Sequence, residues 1–187
     1  MHQWFDMESV QKLCHDPEGI QIAGMRESLA FVAEVVEREA AEIGGLDKVF
    51  LGGISQGCAT GITALLIIGQ PMAGFIGFCG WCPFADAVSR GGQALRAWIR
   101  ERLLPSQTAE NQIDASSISS ALRTPILLQH ANDDGVVPIA LGQDMRAKLA
   151  VLGAGVQWRE YGEGGHWINE PEGIDDMVKF VEANSTR

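Results

Sequence analysis

Over residues 18–43, Ile22, Met25, Leu29, Val32 and Val36 recur at steps of three and four. One apolar stripe at that spacing predicts a long amphipathic helix. Gly44 and Gly45 follow it, as glycines commonly do at a helix C-terminus. The pattern then shortens. "DKVFLGG" (47–53) is a brief apolar run that suits a buried strand. Residues 56–69 predict a second helix, with Ala59, Ile62, Leu65 and Leu66 available to pack, and "AGFIGFCG" (73–80) predicts another buried strand. Residues 90–104 are helical in character, with Leu95, Trp98 and Leu103 on or near one face. "PSQTAENQIDASSISS" (105–120) is polar and predicts a surface excursion or lid-like loop. After it come a strand over "TPILLQH" (124–130), a helix over 138–152 opened by Pro138, an alternating strand "GVQWREY" (155–161) and a closing helix over 174–184.

Helices that alternate with strands in this way predict an α/β fold: a mostly parallel sheet with helices on both faces, in one domain over 1–187. Chemistry in such sheets sits at the carboxyl ends of the strands. Composition narrows the partners. The formal net charge of −10 argues against nucleic acid or an anionic membrane surface. No stretch reaches the roughly 18 uninterrupted apolar residues of a membrane span, and residues 1–30 lack the basic start and apolar run of a secretory signal. Cys14, Cys58, Cys79 and Cys82 are too few and too scattered for a disulfide framework. The expectation is a cytoplasmic protein.

Three strand ends carry reactive residues. Ser55 follows "VFLGG", Asp133 and Asp134 follow "ILLQH", and His166 follows "VQWREY". The order Ser, Asp, His is that of an α/β-hydrolase triad. A serine hydroxyl attacks an ester or thioester carbonyl only when a base takes its proton. An imidazole titrates near neutral pH and can be that base, and an aspartate orients it and stabilises its charged form. Gly53 and Gly57 flank Ser55 in "GGISQG", where the absence of Cβ atoms permits a tight strand-to-helix turn. The helix from residue 56 would aim the Gln56 N–H at a developing oxyanion. The bland alternative for Ser55 is a helix cap. His130 reads as structural, holding the aspartate loop by hydrogen bonds. A rival chemistry lies in "FCGWCPF" (78–84), where Cys79 and Cys82 make a C-x-x-C and a strand before such a pair can mean a redox dithiol. No clear helix follows Cys82 directly, which favours buried or loop thiols. A zinc site there would need two more ligands nearby, which Cys14 and His15 could supply only by accident of fold.

"LGGISQGCA" resembles the nucleophile elbow of the acyl-protein thioesterase and phospholipase/carboxylesterase family of α/β-hydrolases. "HANDDGVVP" resembles that family's H-G-x-x-D-x-x-V-P segment, "YGEGGHWI" its histidine loop, and "WFDME" (4–8) a segment that precedes the helix before the nucleophile. The resemblance covers nearly the whole chain. It implies hydrolysis of carboxylic esters or acyl thioesters by Ser55, Asp134 (rather than Asp133) and His166, with no metal and no cofactor. The implied substrates are acylated small molecules, lysophospholipids or S-acylated proteins. It also implies that Trp81 lines the acyl site. Trp4, Phe5, Trp81 and Trp167 would form an apolar groove, or else ordinary core. Ala131 and Cys58 stand where the family usually has glycine.

One departure is larger. Family members carry an early H-G-x-G or H-G-L-G-D loop that gives a second oxyanion N–H. The histidines here are His2, His15, His130 and His166, and none is followed by glycine. The expectation is an N-terminally short hydrolase of weak or no activity. Its nucleophile strand would lie near an exposed sheet edge and be prone to pairing as a homodimer or aggregate.

Overall fold

Four short strands, β1 (Phe50–Ile54), β2 (Gly74–Phe78), β3 (Ile126–Ala131) and β4 (Val156–Tyr161), pair in parallel in the spatial order β1-β2-β3-β4. The computed structural model describes residues 3–9, 19–104 and 115–185. Every residue of β2 and β3 is buried, as central parallel strands covered on both faces must be. Their side chains alternate. Phe75, Ile126 and Leu128 face one core, while Ile76, Phe78 and Leu127 face another, the period of two expected of a strand. Among the described residues β1 pairs only with β2, so the serine's strand is an edge strand, as expected.

The larger core lies under α1 (Ile20–Ile43), α2 (Gln56–Ile68) and α6 (Ile139–Val151). Met25, Leu29, Val32, Val36 and Ala40 bury the predicted stripe of α1, which packs on α2 rather than directly on the sheet. It ends at Gly44, whose φ of 88° is left-handed and whose N–H returns to Ala40 O at 2.9 Å, a glycine termination. The opposite face is covered by α7 (Glu172–Asn184), with Phe180 against Ile76, Phe78 and Leu127.

The middle of the chain departs from the sequence reading. A helix does follow the C-x-x-C pair: α3 (Ala85–Ser89) begins three residues after Cys82. The single helix expected over 90–104 is α4 (Gly92–Trp98) continued by a π-helical turn, Ile99–Leu103, and Leu95, Ile99 and Leu103 are buried at steps of four. Of the loop expected at 105–120, residues 105–114 lie outside the described residues, and Ala115–Ala121 is a helix, α5. Its serines masked an apolar face. Ile118, Ala121 and Leu122 recur at helical spacing and are buried against α2.

Candidate active site

Ser55 sits between the end of β1 and the start of α2 with φ 55° and ψ −121°. A non-glycine residue there is strained, and such strain gathers at functional sites. The turn is fixed on both sides. Ser55 N–H donates to Phe78 O at 2.8 Å, and Ser55 O accepts from Cys58 N–H at 3.0 Å. Gly53 is what lets strand and helix meet: a Cβ there would lie 2.3 Å from Gly57 O and 2.7 Å from Cys58 N. Gly57 matters less than its place in the motif suggests, since a Cβ there would meet Trp4 Nε1 at an ordinary 3.4 Å.

The Gln56 side chain does something the sequence did not announce. Its Oε1 accepts from Trp4 N–H at 2.8 Å and its Nε2 donates to Phe5 O at 2.7 Å. Ser28 Oγ of α1 donates to Trp4 O. Residues 4–5 are thereby tied to the first turn behind Ser55.

Asp134 is the hub. Its side chain is fully shielded from solvent. One oxygen, Oδ1, accepts from the Val136 and Val137 amides, each at 2.9 Å. The other, Oδ2, lies 2.9 Å from His166 Nδ1 and 3.1 Å from His130 Nε2. Burial works against the carboxylate charge, but the hydrogen bonds from His166, Val137 and Val136 outweigh it and hold the carboxyl below its ordinary value. A carboxylate only accepts, so His166 carries its proton on Nδ1 and leaves the Nε2 lone pair free. His130 Nε2 likewise faces only acceptors, Asp134 Oδ2 and Val137 O at 2.9 Å, and its Nδ1 is buried without a partner. The structure thus gives Asp134 two imidazole donors. Asp133, the other aspartate of the pair, accepts from Gly165 N–H at 2.7 Å and so ties the acid loop to the histidine loop.

His166 comes from beyond β4, three strands away from Ser55. The loop crosses back over the sheet: Trp167 O accepts from Cys79 Sγ at 3.4 Å. Cys79 follows the end of β2, where Phe78 lies opposite Ile54 of β1. That brings the histidine loop to the end of β2, the strand that pairs with the serine strand. No hydrogen bond joins Ser55 Oγ to His166 among the described residues.

In the sequence Cys79 reads only as half of a C-x-x-C pair, not as a neighbour of Asp134 and His166. It stands at the carboxyl end of β2, the one strand end not read for the triad. Its φ is 48°, and it is 1% exposed. Burial, with the Asp134 carboxylate alongside, pushes its thiol up to about 12. The ligand atoms of Cys79, Asp134 and His166 all lie within 4.8 Å of one another. Cys82 is also buried, and thiols in such surroundings are inert, which removes the case for a redox dithiol. Cys14 and His15, weighed as partners for a zinc site with that pair, lie outside the described residues.

The aromatic groove divides in two. Trp4 and Trp167 are exposed, at 40% and 62%. Phe5 and Trp81 are core, packed edge to face at 6.4 Å. Trp81, expected to line the acyl site, is instead part of the core, 1% exposed.

The profile of the family described as Phospholipase/Carboxylesterase matches residues 1–98, which is more than half of the chain. The chain belongs to the phospholipase/carboxylesterase family. Carboxylesterase SOBER1 of Arabidopsis thaliana is 26% identical over 183 residues, covering 98% of this chain and 66% of that protein. Its crystal structure superposes with a TM-score of 0.72 at 23% identity, over 98% of this chain and 74% of that one. Acyl-protein thioesterase 2 of Zea mays superposes with a TM-score of 0.67 at 25% identity, over 98% of this chain and 72% of that one. A rice protein (Oryza sativa subsp. japonica) named a probable inactive carboxylesterase is 27% identical over 187 residues, 97% of this chain and 63% of that protein. The family chain thus spans somewhat less than two thirds of the length of the Arabidopsis and rice proteins. Its four-stranded parallel sheet with flanking helices has the α/β-hydrolase fold. Among the described residues no helix is long and apolar enough to cross a membrane.

Proposed function

We propose that this chain is a serine hydrolase of carboxylic esters or acyl thioesters. Ser55 is the nucleophile, His166 the general base and Asp134 the group that orients it. The observation that carries this reading is the buried Asp134 carboxylate 2.9 Å from His166 Nδ1, on a loop drawn across the sheet toward a serine in a strained strand-to-helix turn. His166 Nε2 takes the Ser55 proton as Oγ attacks the acyl carbonyl. The oxyanion forms beside the Gln56 N–H in the first turn of α2. Collapse expels the alcohol or thiol, which receives the proton from His166, and leaves an acyl-serine. Water, deprotonated by the same imidazole, then releases the acid. The Ser55–His166 contact closes when substrate is bound, since catalytic hydrogen bonds are often long without it. Trp167 and Trp4 supply exposed apolar surface for the acyl group of a small ester, a lysophospholipid or an S-acylated protein.

The test is labelling of the folded protein with a fluorophosphonate, with mass spectrometry to locate the adduct. An adduct on Ser55, lost in Ser55→Ala and in His166→Ala, is the expected result. The second reading is a hydrolase-like protein that keeps the architecture without turnover. The edge position of β1 and the absence of a Ser55–His166 hydrogen bond among the described residues favour it. A folded chain that takes no label decides for it.

A further inference from the structure

All four strands deliver a reactive side chain to one rim of the sheet, and hydrolysis as proposed uses three of them. Cys79 has no part in it, yet its sulfur lies with the Asp134 carboxylate and the His166 imidazole in one cluster, every ligand atom within 4.8 Å of the others. We propose that Cys79, Asp134 and His166 form a binding site for zinc or a similarly thiophilic divalent cation, and that occupancy of this site excludes hydrolysis.

The donor set is one thiol, one imidazole and one carboxylate, the three side-chain types that bind zinc. Three protein ligands with an open fourth position describe a zinc site that keeps a water. Zinc bonds of about 2.0–2.3 Å in tetrahedral array space the ligand atoms roughly 3.3–3.7 Å apart. The His166–Asp134 pair, at 2.9 Å, would open by less than an ångström to reach that spacing, and the Cys79 sulfur lies within 4.8 Å of both. The Cys79 backbone is held in place independently of any cation, because its N–H donates to Gln129 O at 2.9 Å; the thiol's own bond to Trp167 O is given up with its proton. His166 is the ligand with solvent access, its side chain 22% exposed, so the cation enters past that ring. The sulfur selects soft and borderline ions over magnesium and calcium, which prefer all-oxygen shells.

The protons balance. Zinc replaces the proton on Cys79 Sγ, which leaves to solvent. It also binds His166 at Nδ1, whose proton leaves to solvent while Nε2 takes one up, so the imidazole ends with its single proton on Nε2. A neutral ring protonated at Nε2 cannot accept the Ser55 proton. Binding itself does not depend on the hydrolase reading; the loss of activity does, and the two are measured separately.

The experiment is titration of the purified full chain with Co2+, read by the near-ultraviolet thiolate-to-cobalt band, followed by displacement with Zn2+. One equivalent of cobalt with a thiolate band, displaced by zinc and untouched by millimolar Mg2+, is expected. Cys79→Ser should abolish the band and weaken zinc binding by at least ~100-fold. His166→Ala should weaken it by at least ~10-fold, and Cys14→Ser and Cys82→Ser should leave it intact. A band that survives in Cys79→Ser, or that moves with Cys14, overturns the site. If Cys79→Ser fails to fold by circular dichroism, undiminished affinity in His166→Ala overturns it instead. With an ester substrate, zinc at 100 times its Kd should lower the rate about 100-fold by mass action. Tight zinc binding to a chain that hydrolyses nothing even without metal would uphold the site and defeat the hydrolase reading alone.

Discussion

Replacing Gly53 with alanine puts the strand-to-helix turn to a quantitative test. The added Cβ would lie 2.3 Å from Gly57 O, 2.4 Å from Gly57 C and 2.7 Å from Cys58 N, where ordinary contact begins near 3.4 Å. All three are backbone atoms of the first turn of α2, so no rotamer change relieves the overlap. Strand and helix must part by about 1.1 Å, the shortfall from that limit. Overpacking of a well-packed site costs about 1–3 kcal/mol, and the rigidity of the neighbours places this case near 3. For a domain of this size, about 3 kcal/mol lowers Tm by roughly 6–12 °C. On the proposed hydrolase reading, the same 1 Å would displace Ser55 from an acyl carbonyl, worth about 10²-fold in acylation. Thermal melts and the second-order rate of fluorophosphonate labelling read the two effects. Gly57→Ala is the internal comparison: its Cβ has room, and alanine is favoured over glycine within a helix by about 0.5–1 kcal/mol. A Gly53→Ala variant that melts and labels like the parent refutes the steric argument, as does a Gly57→Ala variant that proves the more damaging.

Gln56→Ala keeps the backbone N–H but removes both side-chain bonds to residues 4–5, and should cost roughly 1–3 kcal/mol in denaturant unfolding at 0.5–1.5 per bond, with a red shift in Trp4 emission; an unchanged midpoint would show the tether idle. The Asp134 carboxyl is held below its ordinary value in the folded chain, so its contribution to stability is present above the unfolded value near 3.9 and is lost as pH falls through the folded one. Asp134→Asn should therefore lower stability at pH 7 and flatten the fall in unfolding midpoint below about pH 4; parallel curves for the two proteins would contradict this. Burial pushes the Cys58 and Cys79 thiols up to about 12, so iodoacetamide at pH 8 should leave both unmodified in the native protein and alkylate them in urea, read by peptide mass mapping.

The sheet was legible because central parallel strands read as continuous apolar runs, and "GFIGF" and "ILLQHA" are buried at every position. The α1 stripe was legible for the same reason at helical spacing. What escaped was of two kinds. Helix α5 hid behind serines, because three apolar positions in a polar run are enough to dock a short helix but not to stand out. The contacts of Gln56 and Cys79 span 52 and 88 residues along the chain, and no local pattern encodes such a meeting. The elbow motif also overstated Gly57 and left Gly53 undistinguished, since a motif records residue types and not which Cβ would collide. Trp81 and Trp167 looked alike in sequence, and the fold alone separates a buried ring from an exposed one.

The spatial order β1-β2-β3-β4 repeats the order in which the chain is made. Each strand adds to the edge left by the one before it, so the sheet can grow as the chain leaves the ribosome. Ser55 is then in place, elbow formed, before β2, β3 and β4 emerge, and His166 arrives only after β4 has docked. On the proposed hydrolase reading, the serine alone would have no base until the histidine loop has crossed the finished sheet, so labelling of Ser55 would report on the docking of β3 and β4 as much as on the serine itself.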